Sequence, residues 1–327
     1  MIRHAIALEP VPQEPGFSGF IQPAIGALWY KSNLVASFVS FDLSEEKIDS
    51  LSDEPDSQST AVFLFPFELS YTFSRTRTQI FLGSQLEDFV SFDLSQQLGI
   101  KQELSGIGTI AGSFLFTSIP AKVWEDPYVT GQDREDTDRR STGLRLTWAD
   151  MLGSGLEVEY SYRNIDIDTE RSGTSLGLPP EQQRLLDRNG QTHRINLLYE
   201  WQLSKAHRLR PAFAYMKDDR DGDARTRDVY DFQLSYFYIS QPLSVVLNAS
   251  LGFADYDERN PIFDKTQEDD RYSLGGTIFY RNPFGWKVLG SDQISFSLTL
   301  LYALNDTNID FYDEEAFLSS VGVLYRF

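Results

Sequence analysis

The segment QISFSLTLLYALN at 293–305 sets Ile294, Phe296, Leu298, Leu300, Tyr302 and Leu304 at every second position. Gln293, Ser295, Ser297, Thr299 and Asn305 hold most of the positions between them. Side chains of an extended chain point alternately to two faces, so this spacing reads as a strand with one apolar and one polar face. The same pattern puts Phe63, Phe65, Phe67, Leu69 and Tyr71 on one side of 60–73, and Leu156, Val158, Tyr160 and Tyr162 on one side of 155–163. It returns as Tyr230, Phe232, Leu234, Tyr236 and Tyr238 in 227–238, and each opposite face reads as polar, charged or small. Even the heptapeptide FVSFDLS, present at 38–44 and again at 89–95, has flanks that diverge at once. A duplication needs self-similarity over tens of residues, so shared alternation writes this text twice.

Alternation of this kind gives about fourteen strands, with 12–16 compatible. They lie near 17–31, 60–73, 78–88, 89–104, 108–120, 140–150, 155–167, 190–203, 207–218, 226–239, 242–256, 270–281, 293–305 and 315–327. Tight turns SRTR (74–77), SGIG (105–108), LGSG (152–155), SKAH (204–207) and SQP (240–242) alternate with long acidic loops at 32–58, 121–139, 168–189 and 257–269. An even number of strands, short turns at one end and long loops at the other mark an all-β, transmembrane antiparallel up-and-down β-barrel. A soluble barrel or sandwich also alternates. It packs its apolar face inward, however, and this many strands enclose more volume than side chains fill. Trp29, Trp148 and Trp201 near the strand ends suit aromatic girdles at two interfaces. The expected division is a periplasmic tail, 1–15, and one barrel, 16–327.

Composition narrows the partners. The 327 residues carry a formal charge of −19 and no cysteine, which removes disulfide scaffolds and thiolate metal sites. The acidic balance disfavours nucleic acid, whose phosphates require clustered Lys and Arg. The longest apolar run, AVFLFPF at 61–67, is strand-sized and far short of a membrane helix. Ala5-Ile6-Ala7 has the small-x-small form of a cleavage site, from which a nearly mature exported chain is expected.

The chain ends SSVGVLYRF, and this closing strand with its terminal Phe327 resembles the signal by which bacterial outer-membrane barrels are read by their assembly machinery. GFSGF (16–20), FELSYTFSRTRTQIFLG (67–83), LFTSIPAKVWEDPYV (115–129), the RRSTGLRL run (139–146) and NIDFYDEEAFLSSVGVLYRF (308–327) resemble, over essentially the whole chain, an uncharacterised family of Gram-negative outer-membrane proteins catalogued only as a domain of unknown function. The resemblance implies a barrel, and an outer membrane with its lipid and lipopolysaccharide. It implies no activity, so no functional residue is carried over.

Chemistry is sparse. An acyl-transfer or lipid-hydrolysing barrel needs a nucleophile with a base in reach. Of three histidines, His4 lies in the tail, while His193 and His207 share faces with apolar neighbours and read as outward rim residues rather than bases. KDDRDGDARTRD at 217–228 matches several offsets of a calcium loop but starts with Lys217 and is flanked by strands, so it reads as a charged hairpin. No catalytic residue, metal site or cofactor is expected; the acidic loops offer at most loose divalent-cation contacts beside lipopolysaccharide.

If the aromatic parity faces lipid, the other parity lines the lumen. Strands two to seven then contribute Glu68, Glu87, Asp93, Glu103, Glu157 and Glu159 against Lys101, Arg145 and Arg163. Strands eight to fourteen contribute Arg194, Arg208, Arg210, Arg227, Arg271, Arg281 and Arg326 against Glu200 and Asp231. Opposed acidic and basic walls would set a transverse field across a pore. The plainer alternative is that the charges pair across strands and fill the barrel, and the turns as drawn set Arg145 against Glu159 and Glu200 against Arg210. The leading expectation is an outer-membrane channel for passive diffusion of small hydrophilic, anionic or dipolar solutes, narrow or gated by loops. The second is a closed structural or partner-binding barrel with its lumen shut by loop 32–58.

Overall fold

The computed structural model describes Leu8 and residues 10–38, 41–84, 94–287 and 293–327. Among them, fourteen antiparallel strands follow one another around a closed barrel. Strand β1 runs as Gly16–Ile21 and Ala24–Lys31, and β2 as Ser57–Leu64 and Phe67–Phe73. Next come β3 (Thr78–Ser84), β4 (Leu94–Leu104), β5 (Gly108–Ile119), β6 (Asp136–Ala149) and β7 (Leu156–Ile167). β8 (Gly190–Tyr199), β9 (His207–Arg220), β10 (Arg227–Ile239) and β11 (Leu243–Asn260) continue the wall. β12 (Lys265–Arg281), β13 (Ile294–Thr307) and β14 (Glu314–Arg326) complete it. β14 returns to β1, with Phe20 opposite Arg326 and Ala24 opposite Gly322. Closure removes the open sheet edge that would otherwise invite another strand.

The apolar parity faces outward. Ile25, Phe63 and Leu274 remain 62%, 54% and 64% exposed, and Phe65, Leu298 and Leu300 are exposed on the same surface. A belt of this extent exceeds the apolar patches that water-soluble monomers tolerate, and it is the lipid-facing band of a transmembrane barrel. Aromatic residues mark both ends of the belt. Trp29 lies beside Phe317 near the loop side, 5.4 Å between centroids. Trp148 Nε1 donates to the Ile107 carbonyl (3.0 Å) at the turn side, where Trp201 is also exposed.

The turn side carries the connections 74–77, 105–107, 150–155, 203–206 and 240–242, at the end where Phe327 N–H donates back to the Gly19 carbonyl of β1 (3.2 Å). The loop side departs from the sequence reading at 257–269. That segment is no loop: β11 and β12 stay paired up to Asn260 and Lys265, leaving a four-residue connection. Here both faces are polar because the hairpin has risen above the belt, so no apolar period announces the strands. Loop 32–56 contains a short hairpin, Val35–Phe38 with Phe41–Asp42, which covers much of the first FVSFDLS copy. Most of the second copy, with Asp93 and Glu87, lies outside the described residues.

Candidate functional site

The loop-side mouth is covered by chain. In loop 32–56, Leu43 is fully buried against Leu28 and Tyr30 of β1, Val62 of β2 and Leu318 of β14, all on the inward parity. The first loop therefore folds into the lumen. Its strand pairs along a short extension of the β5 wall, Ala121–Trp124, with Lys122 opposite Ser37. Trp124 Nε1 donates to Ser44 Oγ at 3.0 Å. Above it, loops from opposite sides of the barrel share a second apolar core of Tyr128, Leu186, Ile309, Phe311 and Tyr312. The Tyr128 and Tyr312 hydroxyls are 2.7 Å apart, and Asn260 Nδ2 donates to the Tyr312 hydroxyl at 2.7 Å. Burial pushes the Tyr128 phenol well above its ordinary value, which keeps it a neutral hydrogen-bonding group.

Arg134 latches the first loop to this cap. Its guanidinium stacks on Trp124, 4.3 Å from the ring, and donates to the carbonyls of Asn33 (3.0 Å), Pro127 and Glu45. Burial pulls its pKa down to about 10. Hydrogen bonds to charged groups contribute about 1.5–3 kcal/mol each. Arg134→Ala should therefore raise the open fraction of loop 32–56 at least tenfold, read as faster proteolysis within that loop while the barrel keeps its resistance to unfolding in detergent. Equal cleavage of variant and parent would remove Arg134 as a latch.

At the opposite mouth, the segment leading into β1 enters the barrel. Leu8 N–H donates to Glu157 (3.0 Å), Val11 is buried, and Arg77 donates to the carbonyls of Val11 and Pro12 (2.6 Å each) while also pairing with Glu103. The turn side also shows that the inward parity is not uniformly polar. Phe20, Phe237, Val246, Phe279 and Leu324 form an apolar layer there, and Leu28, Val62 and Leu318 form another higher up. These positions obey the alternation of their strands but find chain or one another across the lumen, so they bury apolar surface on the inner side.

Between the two mouths lie the charged residues picked out in the sequence. Arg145 Nε is 3.3 Å from Glu159, and Glu200 binds both Arg210 (Nε, 2.9 Å) and Arg208 (3.5 Å). Both sequence-inferred pairs are thus formed, although Arg145 stands opposite Ser161 and reaches Glu159 diagonally, two residues from the register the turn suggested. Asp231 receives Arg271 at 3.1 Å and stands 3.9 Å from Arg194. Glu68 lies on the inward parity of β2 opposite Phe20. Arg281 and Arg326 lie inward near the turn side, opposite Ser295 and Phe20 respectively. The side chains of Arg194 and Arg271 keep 41% and 38% of their surface exposed although they point into the barrel. Water-accessible space therefore persists at their level. Lys101 and Glu157, by contrast, are buried.

The sequence places Arg227 on this wall but not Arg220 or the carboxylates that hold both. Asp218 bridges Arg220 (2.5 Å) and Arg227 (3.0 Å), and Arg227 also meets Asp269 at 3.2 Å and the Tyr256 hydroxyl at 2.7 Å. The basic residues thus climb β8–β12 in three levels: Arg208 and Arg210, then Arg194 and Arg271, then Arg220 and Arg227. Asp218 and Asp269 went unseen because they sit in segments whose opposite face is also charged. His193 and His207 are rim residues: His193 meets the Tyr160 hydroxyl at 2.8 Å and His207 that of Tyr236 at 2.6 Å; His4 lies outside the described residues. Among the described residues no group of acidic or histidine side chains has the arrangement of a metal site.

A family model described as "Protein of unknown function (DUF2860)" matches residues 16–326. No curated protein matches the sequence. Among solved structures, the TodX monoaromatic hydrocarbon channel (deltaS2 mutant) is similar at a TM-score of 0.48 and 11% identity, covering 96% of this chain and 90% of that one. A Pseudomonas aeruginosa FadL homologue is similar at 0.44 and 10%, covering 97% and 92%. Pseudomonas aeruginosa OprD is similar at 0.40 and 10%, covering 98% and 97%. With TM-scores below 0.5, these likenesses bear on neither fold nor function.

Proposed function

Since the chain belongs to the DUF2860 family of unknown function, we propose from its lumen alone that it is an outer-membrane channel of a Gram-negative bacterium, passing small hydrophilic solutes by passive diffusion and favouring anionic or dipolar ones. The observation that carries this reading is the exposure of Arg194 and Arg271 inside the wall. A fourteen-strand barrel is wider than its own side chains fill, and what covers its mouths is folded-in loop and leading segment rather than barrel wall. Loop 32–56 covers one side and the segment before β1 the other, and both are held by hydrogen bonds and packing that local opening can release. The outward belt supports placement among membrane lipids, with lipopolysaccharide beside the acidic loop-side hairpins. The closing strand with Phe327 supports recognition by the barrel-assembly machinery.

Selectivity follows from the levels of arginine. At the turn side one carboxylate, Glu200, faces two guanidiniums, and the middle level repeats this ratio with Asp231. The acidic loops lie outside the membrane and are screened over a Debye length of about 8 Å, so the inner wall favours anions although the whole chain is acidic. Replacing both Arg208 and Arg210 by Glu gathers three carboxylates at one level. Reversal potentials under a salt gradient should then move toward cation preference. A wild type that conducts with a cation preference unchanged by the double substitution would refute the arginine wall.

The second reading, a closed structural or partner-binding barrel without transport, is favoured by the packing of Tyr128, Phe311 and Tyr312 in the cap. Absence of any current from wild type and from loop-opened variants would establish it over the channel.

A further inference from the structure

Beneath the cap lies a cavity of about 200 Å³. Arg220, Arg225 and Arg227 line it from β9, β10 and their connection. Leu34, Val123 and Ile167 line it from the first loop, the β5 extension and β7, where Arg139 stands opposite Ile167. Asp218 and Glu314 add carboxylates to the lining. Arg220 and Arg227 are held by the carboxylates of Asp218 and Asp269. Arg225 differs from both. Its guanidinium lies 4.5 Å from the Tyr312 ring and 5.4 Å from the Tyr256 ring, and Nη1 donates to Gln267 Oε1 at 2.9 Å. Among the described residues it has no ion pair. Gln267 is itself fixed, buried and donating to Asp269 at 2.7 Å. A guanidinium carries five N–H donors in a planar fork suited to a carboxylate, and one of Arg225's is spent on Gln267. The rings hold the rest in place at low dielectric, where a charge-assisted pair is strong.

We propose that this cavity is a binding site for a small organic monoanion with an apolar body, its carboxylate on Arg225 and its hydrocarbon against Leu34, Val123 and Ile167. The site rests on the channel reading only for its role as a station on the path; its existence does not depend on conduction. A bare inorganic anion would leave the apolar lining unused, and a neutral hydrocarbon would leave the guanidinium uncompensated. The cavity is smaller than the roughly 300–1,000 Å³ of drug-sized ligand pockets, which sets short acids above long-chain ones.

Calorimetric titration of the full chain in detergent with hexanoate, hexanamide and inorganic phosphate tests this without any current being measured. Hexanoate should bind saturably at one site per chain, hexanamide at least tenfold more weakly, and phosphate should not displace it. Arg225→Gln should weaken hexanoate binding at least tenfold. Because Arg225 also clips the cap, Val123→Phe provides a second variant: it fills the apolar part of the lining, leaves the guanidinium in place, and should weaken hexanoate comparably. Unchanged hexanoate affinity in folded Arg225→Gln or in Val123→Phe would overturn the site. So would equal binding of hexanamide, or displacement by phosphate. Failure of binding with conduction intact removes the site and leaves the channel; binding without conduction does the reverse.

Discussion

Excising residues 33–55 and joining β1 to β2 through a four-residue Gly-Ser turn is expected to raise the entry of a small neutral sugar into protein-loaded liposomes at least tenfold. The excision is geometrically mild. Lys31 and Ser57 already face each other as paired residues, so a short turn closes the hairpin without disturbing the wall. What it removes is the lumen filler. Leu43 leaves its contacts with Leu28, Tyr30, Val62 and Leu318, a burial that contributes about 1.5–3 kcal/mol and that the strands do not need. The partners of Arg134 at Asn33 and Glu45 go with it, and the cap core loses Leu34, Ile48 and Leu51. The effect should far exceed that of any single lumen substitution, because chain rather than one side chain occupies the space. Unaltered swelling rates in a folded, reconstituted variant would show that loop 32–56 is not what limits entry.

Leu298→Arg is expected to reduce barrel stability by about 2–4 kcal/mol, the range for an arginine on the lipid face at mid-membrane. Thr299→Arg, one position along, should reduce it much less. Leu298 is exposed on the outward belt of β13, so the guanidinium would have to leave water for hydrocarbon. Thr299 faces inward, where its hydroxyl lies 3.0 Å from that of Thr277 on β12, and an arginine there reaches the polar interior. Reversible unfolding of both variants in urea, from lipid bilayers, separates the two. Equal losses would mean that the parity assigned to β13, and with it the inside and outside of the whole wall, is wrong.

The wall was legible because one physical constraint acts on every residue of it. A strand between lipid and water must alternate, and Leu298 against Thr299 or Ile195 against Arg194 declares the two faces without any partner being known. Register then followed from the tight turn for Glu200 with Arg210, beside the Trp201–Leu209 pair, whereas Arg145 stands opposite Ser161 and reaches Glu159 only diagonally. The lumen's contents were not legible. Leu43, Tyr128, Phe311 and Tyr312 are isolated apolar residues in acidic, aperiodic segments, and nothing in their spacing says that three separate loops meet. Above the belt the constraint lapses. β11 and β12 continue to Asn260 and Lys265 with polar residues on both faces, so Asp269 was read as loop and its pairing with Arg227 was missed. Inside the turn-side mouth the polar expectation failed at Phe20, Phe237 and Phe279, because burial against one another stabilises apolar side chains in a lumen as it does in any core.

Current through the wild-type protein in a planar bilayer, recorded under a tenfold salt gradient, tests the channel most directly. Discrete openings are expected whose reversal potential lies on the anion side, briefer and rarer than those of the barrel lacking residues 33–55. No openings from wild type, together with none from the excised variant, would contradict it and leave a closed barrel.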